Sequence, residues 1–159
     1  MAQVHEPEVG AQPTPSPFQT FDVRPQLLEY GKVVTSAAKT DLISCSVQVI
    51  AHGGETNLHA HNGSDAIWLV LDGKAKFYTT DNEVVGIIEK NQGLVIPRGT
   101  PYWFESEGDD NLVILRFGAT AQNEPDTRTN YSHRNFSVDG QESAQRPTKI
   151  LDGVFFGDK

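Results

Sequence analysis

From residue 42 to residue 117 the chain repeats one pattern, a short apolar run closed by a cluster of turn residues. The runs fall at 42–50, 58–61, 66–71, 74–79, 84–88, 94–96, 102–104 and 112–117. None has the length or the 3.6-residue period of an ordinary helix, so each reads as a strand. Turn signals recurring roughly every 8–12 residues argue for an all-β sandwich or barrel. Ala51-His52-Gly53-Gly54, Asn62-Gly63-Ser64 and Asp81-Asn82 mark breaks between strands. Asp72-Gly73 is the pair expected at a tight hairpin, where both central residues take positive φ.

The ends differ from this middle. Pro7, Pro13, Pro15 and Pro17 each fix φ and remove a backbone donor, so residues 1–20 read as an extended or flexible Pro-rich arm. In the approach segment 18–36, Phe18, Phe21, Leu27, Leu28 and Tyr30 can anchor the chain on a core elsewhere. A single barrel is expected over 21–118, since 159 residues leave no room for a second core and there is no internal repeat. Residues 119–159 form a polar C-terminal extension that ends in Ile150-Leu151-Asp152-Gly153-Val154-Phe155-Phe156. That apolar terminus needs cover, either on the same barrel or across a partner subunit.

Composition excludes some functions. Lys and Arg number 13 against 21 Asp and Glu, a formal charge of −8, with no basic cluster to attract a nucleic-acid backbone. No run approaches the ~20 apolar residues that span a bilayer, and the N-terminus lacks the basic and apolar regions of a secretory signal. Cys45 is the lone cysteine and has no intrachain partner, so it reads as a small buried thiol. A soluble cytoplasmic protein without nucleic-acid or membrane partners is expected.

His59-Ala60-His61 places imidazoles at i and i+2, which on a strand project from the same face. Such a pair is half of a transition-metal site, although the tripeptide alone reads more readily as a pair of surface histidines on an exposed strand. Asp65, in strand alternation with Ala66, Trp68 and Val70, points away from their face unless a bulge at 62–64 turns it back, and it also suits a turn cap. Arg116 is a lone charge in an apolar run, placed either to clamp an anion or to reach solvent. Arg98, Glu105, His52 and His133 read as rim or surface residues.

With these residues in place the sequence resembles the cupin family. Its first motif runs Gly, five residues, His-x-His, three or four residues, Glu, six residues, Gly; here Gly53 precedes His59 and His61 at that spacing, and Gly73 closes the motif. The second runs Gly, five residues, Pro-x-Gly, two residues, His, three residues, Asn; here it is Pro97-Arg98-Gly99 followed by Tyr102 and Ser106, with Asn91 at the leading Gly. The resemblance covers roughly residues 40–118 and implies an all-β, double-stranded β-helix (jelly-roll) barrel with both motifs lining one pocket. It implies one divalent transition metal (Fe, Mn, Ni or Zn) held by His59 and His61, with Asp65 or water completing the sphere. It departs from the family at the Glu position, which falls on Ala66 or Asp65, and at the last His, replaced by Tyr102.

By the same resemblance, Trp68 and Phe104 would contact a small organic substrate and Tyr102 would act in catalysis, with Arg116 joining them if it points inward. A homodimer is implied by family habit. Metal-dependent dioxygenase, isomerase or lyase chemistry is one expectation. The alternatives are a metal-free epimerase-like enzyme, with a histidine as base and Tyr102 as acid, and a non-catalytic module holding a small acid or sugar.

Overall fold

β-Branched and aromatic residues alternating with polar ones favour pleated, half-buried strands. In the computed structural model, which describes residues 18–121, 125–132, 137–138, 141–142 and 148–158, they form such strands almost throughout. In chain order these are β1 Gln26–Tyr30, β2 Lys32–Lys39, β3 Ile43–Ile50, β4 His59–His61, β5 Ser64–Asp72, β6 Lys74–Tyr78 and β7 Val84–Glu89. They continue with β8 Gly93–Ile96, β9 Trp103–Ser106, β10 Leu112–Thr120, β11 Arg128–Asn130, β12 Ser137–Val138, β13 Gln141–Glu142 and β14 Lys149–Phe155.

A five-stranded sheet in the order β2-β3-β10-β5-β8 faces a three-stranded sheet, β7-β6-β9. β4 extends the second sheet beyond β9, because His59 and Tyr102 exchange backbone hydrogen bonds of 3.1 and 2.9 Å. β11 then pairs with β4. The apolar core between the sheets consists of Ile50, Ala66, Trp68, Val70, Ala75, Phe77, Ile96, Tyr102, Phe104, Leu112 and Ile114. Phe77 and Phe104 stack with centroids 4.8 Å apart, and Trp68 meets Phe104 edge-on at 4.9 Å. Burying each such ring is worth about 1.5–3 kcal/mol.

The turn at Asp72-Gly73 is not the hairpin expected from its residues. β5 pairs with β10 and β8, while β6 pairs with β7 and β9, so the chain crosses here from one sheet to the other. Gly73 alone turns to φ 74°, and a Cβ on it would lie 2.6 Å from the carbonyl oxygen of Asn111. Asp72 stays in β5. The positive-φ pair sits instead at Asp81-Asn82, both at φ 57°, in the turn that joins the paired strands β6 and β7.

The flanking segments add strands. β2 forms one edge of the large sheet, and β14 pairs with β1. Phe156 packs on the outer face of the large sheet against a cluster of Cys45, Val47, Val113 and Leu115, so part of the apolar terminus is covered by its own barrel. The same face stays open further along: Phe117, Ile67 and Val95 sit side by side in register, with Ile67 51% and Val95 65% exposed. They border a cleft of about 670 Å³ that Phe18, Phe21 and Ile43 also line. Among the described residues no helix is long and apolar enough to cross a membrane.

Candidate functional site

β4 brings the imidazoles into the barrel. His59 lies opposite Tyr102 as a hydrogen-bonded pair, so the two rings share the inner face, with centroids 4.6 Å apart. His61, two residues on, stands on that face with its ring 5.3 Å from His59. The large sheet supplies the facing wall. Register places Arg116 directly beside Trp68 and Ser46, and Gly118 beside Ala66 and Ser44. Gly118 leaves room for the Arg116 side chain, since a Cβ there would lie 2.7 Å from a guanidinium nitrogen and displace it.

Both imidazoles are held by their Nδ1 atoms. His59 Nδ1 lies 2.7 Å from the carbonyl oxygen of Asn57, and His61 Nδ1 lies 3.0 Å from Asp126 Oδ2. Carbonyl and carboxylate oxygens only accept, so each Nδ1 carries the proton and each Nε2 keeps its lone pair. Asp126 also accepts from Ser64 Oγ at 3.0 Å, and Ser64 accepts from Arg116 at 3.0 Å. The result is a chain of contacts running Arg116, Ser64, Asp126, His61.

Positive charge surrounds the pair. Burial, aided by Arg128 and Lys32, pushes His59 down to about 3. Burial and then the Arg116 charge lower His61, against the pull of Asp126. Burial raises the Tyr102 phenol, although the Arg116 charge offsets part of that rise. Both rings and the phenol are therefore neutral at ordinary pH. Trp68 Nε1, Tyr102 Oη, Arg116 Nε and Gln48 Oε1 are buried without a well-formed hydrogen bond, and the Arg116 and Trp68 donors approach the Tyr102 phenol closely enough to offset further its burial-driven rise. Arg116 forms no ion pair among the described residues. A cleft of about 240 Å³, lined by Phe77, Thr79, Leu94, Ile96 and Pro97, opens beside the Tyr102 ring.

The structure thus brings together His59, His61, Tyr102, Trp68 and Arg116. Phe104 is 1% exposed and belongs to the stacked core. Asp65 does not join them. β5 runs regularly from Ser64, which pairs with Thr120, so no bulge turns Asp65 inward. Its carboxylate instead accepts from the backbone N–H of Arg98 at 2.8 Å, tying β5 to the Pro97-Arg98-Gly99 turn. His52 is exposed and packs edge-on against Tyr30, and His133 lies outside the described residues. Sequence reasoning missed Ser64 and Asp126. Asp126 reaches His61 from 65 residues away, through a polar stretch with no periodicity to suggest a strand.

A resident divalent metal fits this donor set poorly. Among the described residues no group of three His, Cys, Asp or Glu side chains converges. The imidazoles are neutral donors, Asp126 is spent on a ring N–H, and the Arg116 and Arg128 charges that act on His61 repel a cation.

Residues 46–117 match the Cupin domain family. An uncharacterized protein of Methanocaldococcus jannaschii is 26% identical over 98 residues, 58% of this chain and 77% of that protein. Among solved structures, an uncharacterized conserved protein with a double-stranded β-helix domain from Klebsiella pneumoniae superposes with TM-score 0.56 at 14% identity, covering 63% of this chain and 79% of that one. A cupin-like protein from Thermotoga maritima superposes with TM-score 0.53 at 19% identity, covering 62% and 74%. Family match and barrel agree: residues 46–117 are a Cupin domain, folded as a double-stranded β-helix.

Proposed function

We propose that this cupin binds a small organic carboxylate between its two sheets and needs no resident metal to do so. The observation that carries this reading is the cluster of buried donors Arg116 Nε, Trp68 Nε1 and Tyr102 Oη, which lie close to one another and have no well-formed bond to a protein acceptor. Each such donor costs about 1–3 kcal/mol, a penalty that an anionic oxygen acceptor removes. A carboxylate would also neutralise the Arg116 guanidinium, whose planar fork suits it. The Arg128 and Lys32 charges that act on His59 favour an anion at the same place.

Binding is better supported than acid–base catalysis. A base held at about 3 takes up protons poorly near neutrality, and a phenol raised above its usual value gives them up reluctantly. His59 and Tyr102 are suited to be a fixed acceptor and a fixed donor. One observation favours a second reading: both Nε2 lone pairs are free, as a metal-ligating pair requires. Homodimer formation through the exposed row Phe117, Ile67 and Val95 completes the proposal, as a soluble protein covers such a surface.

Elemental analysis of tag-free protein, with thermal unfolding in acetate, succinate and acetamide, tests this. The expected result is no stoichiometric metal and stabilisation by the acids alone, lost in Arg116→Met with the β-sheet spectrum retained. A stoichiometric transition metal that disappears in His59→Ala, or acid stabilisation that survives Arg116→Met, would overturn it.

A further inference from the structure

We infer that the bound acid is a hydroxycarboxylate whose hydroxyl groups donate to Nε2 of His59 and His61, with Asp126 as the positioning residue that keeps His61 an acceptor. The inference rests on the carboxylate reading and adds to it the other half of the ligand. The large sheet offers donors, from Arg116 and Trp68, and Tyr102 adds a third from beside His59. Beside Tyr102 the two imidazoles offer acceptors, because the Asn57 carbonyl and the Asp126 carboxylate each fix the Nδ1–H tautomer. A simple alkyl acid satisfies the donors and leaves both lone pairs facing carbon. An amino acid would satisfy them with an ammonium group, but it would bring that charge toward Arg116 and Arg128, which already act on His61. Neutral hydroxyls meet both demands.

Asp126 is central because its partners are all parts of the site. It accepts from the His61 ring, from Ser64 Oγ, and at 3.4 Å from the Gly63 backbone. Without it the His61 ring is free to exchange tautomers and present N–H to the ligand. Asp126 also lies outside residues 46–117, so the cupin match does not supply it.

The test is calorimetric titration with glycerate, propionate and serine, then with tartrate and succinate, alongside long-range ¹H–¹⁵N spectra of the imidazoles. The expected result is a hydroxy acid binding at least tenfold more tightly than its deoxy partner and than serine. Both rings should show the Nδ1–H pattern. In Asp126→Ala the hydroxy-over-deoxy preference should fall below threefold and His61 should show mixed tautomers, whatever the change in the absolute affinities. Should that variant fail to fold, the wild-type tautomers and ligand ranking still decide. Deoxy acids binding as tightly as hydroxy acids, or an Nε2–H pattern at His61, would overturn the inference alone. Binding of none of the acids would overturn the carboxylate reading with it.

Discussion

His61 Nδ1 and Asp126 Oδ2 lie 3.0 Å apart, joining a histidine of the barrel to a carboxylate from beyond its last long strand. The pairing orients the ring and, through Ser64, ties it to Arg116 on the opposite sheet. The extension is thereby part of the site. The same stretch supplies Arg128, which donates to Asn57 at 2.6 Å, next to the loop that holds His59.

Acid should destabilise the fold well above the carboxylate range. Unfolded His59 takes up a proton below about 6.5, whereas the folded ring is held at about 3. The unfolded state binds more protons in that window, so stability falls as pH drops through it, by up to about 1.4 kcal/mol per unit. His61 is shifted in the same direction and adds to the loss. Urea midpoints between about pH 7 and pH 5 check this. A flat profile, or one that His59→Gln leaves unchanged, contradicts the burial of a neutral ring.

Phe104→Ala should cost about 3–5 kcal/mol in urea unfolding, the usual penalty for emptying an aromatic site in a packed core. The ring is 1% exposed, stacked on Phe77 and in edge contact with Trp68. A loss below about 1 kcal/mol would mean that the ring lines an open pocket instead.

Gly118→Ala should weaken acid binding more than it weakens the fold. The added methyl would meet the Arg116 guanidinium at 2.7 Å and Ser44 Oγ at 2.9 Å, and the arginine is the mobile member. We expect at least a tenfold loss of affinity by calorimetry with a urea midpoint close to wild type. Unchanged affinity would place the anion away from Arg116.

Ile67→Lys should shift the protein from dimer to monomer in light scattering while leaving its stability nearly unchanged, because Ile67 is 51% exposed beside Phe117 and Val95. A wild-type monomer at tens of micromolar would remove the dimer from the account.

The barrel was legible in the sequence because strand alternation depends on neighbours two residues apart. Ala66, Trp68 and Val70 do turn inward, and His59 and His61 do share a face. The crossing at Gly73 was misread as a hairpin because Asp-Gly suits both a tight turn and a corner, and only pairing with distant strands separates them. β1, β2 and β14 were hidden for a related reason: each is an edge or two-stranded element whose partner lies elsewhere in the chain. Asp65 was a candidate ligand on spacing alone, and strand parity turns its carboxylate to Arg98. Asp126 had no signal at all, since contacts across 65 residues leave no local period.

The measurement closest to the central claim follows the Trp68 indole N–H by ¹H–¹⁵N spectroscopy as acetate is added. The second tryptophan, Trp103, stacks on Tyr78 at 3.9 Å outside the site and serves as the internal reference. A saturable shift of the Trp68 signal with Trp103 unmoved, abolished in Arg116→Met, is the predicted result. A Trp68 signal indifferent to acetate and succinate alike would contradict an anion seat between the sheets.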